Sequence, residues 1–574
     1  MKQQTLQKLT VALTLALSLL GKTASLTQAQ ESEALPSPTE LTVPSVEPVE
    51  PERIPETPEV LLESLPLNPE TELLETSECL PLVETNETRF EAIAIEVVGS
   101  SVLQSEIAER VACYEGQRIT LSDLFVLRSQ ITQLYLENGY VTSGAFIPSG
   151  QFLEGQIQIQ VVEGRLADIQ INGLDQLNEG YIESRISRAD GPPLNQQTLQ
   201  QALQLLQLDP NIERINAELT AGAQPGESLL ILDLEETKPF SAIASANNTR
   251  SPSVGSEELS LSASYRNLIG AGEVVSASYG LTEGLDLYNV GFSIPINASD
   301  GSVSASYSNS ESRIIEEIFE DVGIRSETET VSLAVRQPIV RSPSEEFAIA
   351  LAFDWQQSQS FILDDVPFSF SVGPEEGRSQ VSALRFSQEW TKRDLKRVLA
   401  ARSQFSVGLD ILGATDNDTG TDGQFFAWLG QFQWVEQISP RAISLFKLNA
   451  QLTPDSLLPI ERFSLGGIST VRGYAQNQLV TDNAINASAE VRIPLTQETD
   501  ILQIIPFVDA GYGWNNAADT PNNNFLLGTG VGLRWQPTSD LLLRADYGIP
   551  LVNGESGGSI QENGLYFSVT YQID

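Results

Sequence analysis

Ile485-Asn-Ala-Ser-Ala-Glu-Val-Arg-Ile493 changes chemistry at every step. Its odd positions are Ile485, Ala487, Ala489, Val491 and Ile493; its even positions are Asn486, Ser488, Glu490 and Arg492. A period of two puts the two sets on opposite faces of one strand. Leu565–Ile573 repeats the pattern, with Leu565, Phe567, Val569, Tyr571 and Ile573 against Tyr566, Ser568, Thr570 and Gln572. A soluble sandwich with this alternation would need a dry core shared between two sheets. A transmembrane barrel turns the apolar set to lipid and the polar set to a wet interior.

Outward from these two strands, helical periodicity is absent from about residue 240 onward. Alternating runs centre near 244, 262, 277, 290, 305, 332, 351, 384, 404, 431, 447, 489, 508, 531, 544 and 569. They predict sixteen strands over residues 239–574, an even number that returns both ends to the same side. Connections alternate in length. Asn267–Gly272, Thr391–Arg397, Gln437–Arg441 and Pro537–Asp540 are short, whereas Asn309–Ser326, Gln357–Arg378, Thr453–Asn483 and Ile549–Asn563 are long. Short turns on one side and long loops on the other are the asymmetry of an outer-membrane barrel, with the turns in the periplasm.

Ahead of the barrel the pattern is mixed. Phe90–Val98 alternates as a strand, Ser105–Ala112 suits a short helix, and Ser122–Asn138 a longer one. In the longer helix Leu124, Leu127, Ile131, Leu134 and Tyr135 fall at three- and four-residue spacings. A strand follows from Tyr140, and Gln156–Val162 alternates as another. The β-α-α-β-β order then recurs: Ala167–Ile171, Asn178–Arg188, Asn195–Leu208, Ile215–Thr220 and Ser228–Glu235. Two tandem α+β modules are predicted, over residues 89–163 and 164–238. Such a module leaves a sheet edge that can take an extended chain as an added strand.

The first residues read as a targeting segment. Lys2 and Lys8 precede the apolar run Leu9–Leu20, and small residues follow to Ala29. Residues 1–29 thus predict a secretory signal peptide, the run being short for a membrane-spanning helix. Residues 31–88 hold ten Pro and fifteen Glu against the single basic residue Arg53. This composition predicts an extended acidic linker over residues 30–88. Cys79 near its end and Cys113 in the first module are candidates to pair in an oxidising compartment.

Composition excludes several classes of function. The 574 residues carry 33 Lys+Arg against 76 Asp+Glu, a net charge of −43. Nucleic acid is not expected as a partner, because binding phosphate takes surplus cations. No histidine is present, which rules out Ser-His and Cys-His catalysis and removes the commonest metal ligand. Two cysteines are too few for a cysteine-based zinc or iron–sulfur site. There is no GxxxxGK[ST] phosphate loop. No metal, cofactor or enzymatic activity is expected.

One long loop contains RFSLGGISTVRGY, Arg462–Tyr474. In Ile504–Trp514 the face with Val508, Ala510, Tyr512 and Trp514 is lipid-like, so Phe507, Asp509, Gly511 and Gly513 point inward. The next strand turns Gly528, Gly530, Gly532 and Arg534 inward. Those glycines leave a wall without side chains, against which an inward-folded loop can lie. Arg472 would then meet Asp509 in a bidentate pair that fixes geometry, although an exposed pair adds little stability. Glu490, Arg492, Arg534, Arg544 and Asp546 are expected to line the remaining lumen, a polar surface that would not grip an extended backbone strongly.

VRGY (Val471–Tyr474) together with Phe507-x-Asp509-x-Gly511 resembles the paired signature of the outer-membrane assembly and two-partner secretion transporter superfamily. GYVTSGAFIP (Gly139–Pro148) followed by VVEG (Val161–Gly164) resembles the first POTRA domain of its hemolysin-secretion members. The resemblance covers roughly residues 89–574. It implies two periplasmic POTRA domains before a 16-stranded barrel, with Arg472, Gly473, Tyr474, Phe507, Asp509 and Gly511 locking the loop to the barrel. It further implies export of a large, unfolded, β-rich passenger protein through the outer membrane. Relatives that insert barrel proteins usually carry three or more POTRA domains, and only two are visible here. The chain departs from the family pattern at Ile573-Asp574, where an aromatic residue is common, and in the acidic linker, where some relatives have a plug helix. Transport without nucleotide would be driven by folding of the passenger outside. An assembly factor for barrel proteins and a passive porin are the alternative functions; binding arms speak against a porin.

Overall fold

The computed structural model describes residues 61–62 and 88–573, apart from 149–151, 154, 190, 419, 499–500, 518–519 and 553–556. The expected signal peptide and nearly all of the linker, Cys79 included, lie outside the described residues. These fall into two compact units: one runs to Thr237 and includes the turn Asn267–Gly272, and the other holds Lys238–Arg266 and Glu273 onward.

The larger unit is a closed barrel. Its strands are β1 Phe240–Asn247, β2 Glu258–Arg266, β3 Val274–Leu281, β4 Leu285–Pro295, β5 Ser302–Arg313, β6 Arg325–Arg341, β7 Glu345–Ile362 and β8 Arg378–Arg393. They continue with β9 Arg397–Gly408, β10 Phe426–Ser439, β11 Ala442–Leu452, β12 Asn483–Pro494, β13 Leu502–Trp514, β14 Phe525–Thr538, β15 Leu541–Pro550 and β16 Leu565–Ile573. All neighbours are antiparallel, and β16 pairs with β1 from Ile573↔Ala242 to Ser568↔Asn247, closing the cylinder. Each of the sixteen expected centres lies within one strand. Closure leaves no edge, so every ladder group finds a partner at the depth of the membrane.

The side chains sort as the alternation requires. Along β12, Ile485 is 42% exposed and Ile493 41%, whereas Asn486 and Glu490 are buried. Leu259, Leu261, Phe292, Leu333, Val508 and Val531 likewise stand exposed on the outer wall. Apolar residues outside and polar residues buried inside reverse the order of a soluble domain. No helix among the described residues is long and apolar enough to cross a membrane.

The smaller unit holds two β-α-α-β-β modules. In the first, helices Gln104–Ala112 and Leu121–Glu137 cover a sheet in which Ala94–Val98 runs parallel to Gln156–Val162, with Gly144–Phe146 beyond it. Thr120 caps the longer helix and Asp123 returns the bond, a capping box that fixes its start. Leu124, Leu127, Ile131, Leu134 and Tyr135 form the buried face of that helix. The strand expected from Tyr140 begins at Gly144, because Tyr140 N–H closes the helix by donating to Tyr135 O at 2.9 Å.

In the second module, strands Arg165–Asn172, Ile212–Ala221 and Glu227–Glu236 carry helices Glu179–Ile186 and Gln196–Gln207. Ile182 and Ile186 of the first helix, and Leu199, Leu203 and Leu206 of the second, are spaced to share one face each and are buried on the sheet. Arg165–Asn172 forms one outer edge of this sheet. At the other, Leu61–Leu62 adds a two-residue parallel strand to Glu218–Leu219. The linker is therefore not a bare spacer along its whole length.

The inward loop and its anchoring cluster

The segment between β11 and β12, residues 453–482, is structured. A short 3-10 turn, Pro459–Glu461, precedes a two-stranded hairpin of Phe463–Leu465 with Leu479–Thr481. Phe463, Leu465, Val471, Tyr474 and Leu479 pack with Ala484 and Leu526 of the wall in one buried cluster. This apolar face brings VRGY down against β13–β16.

The glycines make the space. A Cβ on Gly511 would stand 2.9 Å from Val471 Cγ2, and one on Gly528 would collide with the Arg472 carbonyl. Gly548, not anticipated from sequence, lies directly beneath Gly473 N. Gly513 faces the loop as well, its added Cβ lying 2.5 Å from Thr481 Oγ1, whereas the remaining two expected glycines serve different neighbours. Gly530 leaves room for the Tyr547 carbonyl and the Phe507 ring, with 2.7 Å between its added Cβ and Cζ, and Gly532 for the Asp546 carboxylate. Gly473 itself has φ 102°, a conformation that side chains rarely adopt.

Arg472 is buried, at 3% exposure. Its Nε donates to Asp509 Oδ2 at 2.7 Å and its Nη2 to Asp509 Oδ1 at 2.9 Å, the expected bidentate fork. The Arg472 backbone N–H also donates to Asp509 Oδ2, at 3.1 Å. Nη1 reaches Glu490 Oε2 at 3.1 Å and Asp546 Oδ1 at 3.3 Å. The guanidinium carbon sits 3.5 Å from the centroid of the Phe507 ring, which supplies a cation–π face. Ser488 Oγ donates to Asp509 Oδ1 at 2.6 Å. Arg544 donates to both oxygens of Asp546, at 2.6 and 3.0 Å, and Arg492 Nε to Glu490 Oε1 at 3.2 Å. Three carboxylates thus meet three guanidiniums.

This geometry corrects two expectations. The pair is not exposed: Asp509 and Asp546 are 1% and 0% accessible, so desolvation and pairing both act at full strength. Nor do the five predicted lumen residues form one open polar surface. All face inward, but Glu490 and Asp546 are consumed by Arg472 beneath the loop, whereas Arg534 stands apart and donates to Gln536 at 2.9 Å.

Two contributors were not singled out from sequence. Tyr566 of β16, fully buried, accepts from Gly473 N–H at 3.0 Å and donates to Tyr474 O at 2.6 Å. Its signal was a large aromatic ring on the polar face of its strand. Ser488 was placed on the right face but given no partner. Tyr474 Oη in turn donates to Leu527 O at 3.0 Å. Among the described residues no group of His, Cys, Asp and Glu is placed to hold a metal ion.

In the first module, VVEG places Glu163 as a clasp. Its carboxylate accepts from Ser101 N–H and Oγ, each at 2.6 Å, from Val102 N–H at 3.3 Å and from Tyr135 Oη at 2.8 Å. Burial alone would raise the pKa of this carboxyl; the hydrogen bonds from Ser101, Tyr135 and Val102 outweigh it and hold the group below its usual range. Tyr135 is pushed the other way, by burial and by the Glu163 carboxylate. Cys113 closes helix Gln104–Ala112, while its expected partner Cys79 lies outside the described residues.

A closed lipid-facing barrel preceded by β-α-α-β-β modules, with an arginine-anchored loop folded against the inner wall, defines a POTRA-bearing outer-membrane transporter. Comparison with known proteins reaches the same class. The profile of the haemolysin secretion/activation protein ShlB/FhaC/HecB family matches residues 226–535, and that of the ShlB-type POTRA domain matches residues 90–164. The chain belongs to the haemolysin secretion/activation family.

Outer membrane transporter CdiB of Dickeya dadantii is 23% identical over 444 residues, covering 74% of this chain and 77% of its own. Heme/hemopexin transporter HuxB of Haemophilus influenzae is 21% identical over 492 residues, covering 81% and 85%. Hemolysin transporter ShlB of Serratia marcescens is 23% identical over 493 residues, covering 81% of each chain. In fold, the structure is similar to CdiB from Escherichia coli, with TM-score 0.65, 22% identity and coverage of 87% of this chain and 93% of that one. BamA from Haemophilus ducreyi lacking POTRA domains 1–3 gives a TM-score of 0.52 at 15% identity, covering 85% and 100%. The protein is an outer-membrane transporter with its POTRA region in the periplasm.

Proposed function

We propose that the protein exports a secreted, β-rich passenger as an extended chain through its barrel, without nucleotide hydrolysis, and that the loop 453–482 must leave or rearrange for the chain to pass. The observation that carries this reading is how the loop is held. Its contacts with the wall are side-chain hydrogen bonds, ion pairs and two apolar clusters, all reversible, and none belongs to the ladder that closes the barrel. The loop can therefore move without opening the cylinder. The Arg472 cluster acts as the lock, and folding of the passenger outside makes passage one-way.

The passenger is received in the periplasm by strand addition at a POTRA sheet edge. The eight-residue strand Arg165–Asn172 is long enough to template such pairing. Gly144–Phe146 is a poorer platform, at three residues and with Ala145 N–H already donating to Thr132 Oγ1 at 3.0 Å. A disulfide between Cys79 and Cys113 would tether the linker to the first domain.

Comparative analysis of the growth medium tests this function. Deleting the gene should remove one large β-rich protein from the medium, and restoring the gene should return it. An unchanged medium with depleted outer-membrane barrels would instead identify an assembly factor. An unchanged medium with lowered uptake of small solutes would identify a porin.

A further inference from the structure

The same loop is fastened at a second place that shares no residue with the Arg472 cluster. Leu457, Leu458 and Ile460 are buried against Val381 and Ala383 of β8, Phe425, and Ala427 of β10. From this apolar foot Glu461 reaches Arg385 of β8. Arg385 Nη2 donates to Glu461 Oε1 at 2.7 Å and Nη1 to Glu461 Oε2 at 3.1 Å. Arg385 Nε donates to Asp354 Oδ2 of β7 at 2.6 Å, and Nη1 also reaches Ser406 Oγ of β9 at 3.0 Å. Side-chain exposures are 16% for Arg385, 8% for Glu461 and 19% for Asp354.

The guanidinium is thus a rigid fork between a wall carboxylate and a loop carboxylate. Pro459, the residue that opens the 3-10 turn ending at Glu461, also lines a cavity of ≈ 70 Å³ together with Ser358, Ser360, Ser379 and Phe370. Separating Glu461 from Arg385 leaves Arg385 with Asp354 and Ser406 but takes the arginine from Glu461, so the turn stays down until water or a passing chain supplies the carboxylate with a new partner.

We propose that Arg385, oriented by Asp354, is a positioning residue for transport: with Glu461 it forms a second latch that holds the entry of the loop over the lumen and must open together with the Arg472 cluster. This rests on the export reading above. The full-length protein, reconstituted in planar lipid bilayers in potassium chloride, provides the test. Arg385→Glu and Glu461→Arg should each raise the frequency of open events roughly tenfold. The double swap should restore a frequency within about threefold of the native protein, because the fork and its carboxylate have exchanged places.

Arg472→Ala separates the two claims. If it opens the channel while Arg385→Glu and Glu461→Arg do not, the second latch is refuted and the export reading stands. If none of the three opens it, loop gating itself fails. Single variants that open with a double swap that stays open refute the pairing. Where charge reversal prevents barrel assembly, seen as loss of heat-modifiable migration, Glu461→Gln keeps the side chain's size. It should raise the open frequency, and a native frequency there would overturn the latch.

Discussion

Removing the Arg472 side chain should release the loop without dissolving the barrel. In the native protein Asp509, Glu490 and Asp546 lie among Arg472, Arg492 and Arg544, with Lys447 a further cation acting on Glu490. Arg472→Ala removes the one cation that touches all three carboxylates. It deletes four side-chain bonds to carboxylates and the contact with the Phe507 face. Breaking a buried pair by removing one partner costs about 3–5 kcal/mol. Loss of the cation–π contact adds about 0.5–2 kcal/mol. Much of this falls on the docked loop, because undocking lets water reach Asp509. A shift of about 3–4 kcal/mol corresponds to a factor of roughly 10²–10³ in the loop's opening equilibrium. Hydrogen–deuterium exchange on the reconstituted protein reads this directly. Amides within 463–482 should lose about that factor of protection, while those of β4–β6 keep theirs. Arg472→Lys retains the charge but cannot fork, and should fall between the two. Native protection of the loop in Arg472→Ala would refute the reasoning, since the apolar clusters and the Arg385–Glu461 pair would then hold it without Arg472.

Other outcomes follow from the same contacts. Gly528→Val and Gly548→Val should undock the loop at a cost of about 1–3 kcal/mol, because each added side chain enters the space of Arg472 or Gly473; exchange over 463–482 measures it. Tyr566→Phe leaves the Gly473 N–H without its partner, while the Tyr474 carbonyl keeps the Gly467 N–H at 3.0 Å, and should cost about 1–3 kcal/mol of loop protection, with the barrel intact. In the first POTRA domain, the depressed pKa of Glu163 means that its clasp stabilises fully above the ordinary carboxyl value of 4.5 and fades as pH falls through the lower folded value. The thermal midpoint of that domain should therefore drop on acidification below about 4.5, and Glu163→Gln should lower it at neutral pH and flatten the dependence. Deleting residues 90–163 should stop export while the barrel still inserts and conducts ions; unimpaired export would remove the docking role. If Cys79 and Cys113 pair, neither alkylates before reduction.

How much of this was legible depended on the range over which the signal acts. Alternation is local, so Ile485–Ile493 and Leu565–Ile573 declared strands, faces and, by extension, the barrel. The same logic put Asp509 and the glycines of β13 and β14 on the inner wall, and the loop motif supplied Arg472. Register between strands is not local. Glu490, Asp509 and Asp546 were visible as inward residues, yet nothing in their neighbourhoods says that three different strands bring them to one guanidinium, or that Tyr566 of a fourth holds the backbone beside it. The burial of that cluster was hidden for the same reason, because it needs the hairpin Phe463–Leu465 with Leu479–Thr481, a pairing inside what reads as a long polar loop. Arg385 and Glu461, 76 positions apart, carry no mutual signature at all.

The central claim is that the docked loop obstructs export and must move. Val471→Cys with Gly511→Cys tests it most directly, since a Cβ at Gly511 would lie 2.9 Å from Val471 Cγ2 and oxidation would tether the loop to the wall. With the tether formed, release into the medium of the protein whose secretion depends on this gene should stop, and reductant should restore it. Release at the native rate from a fully tethered population would contradict the account.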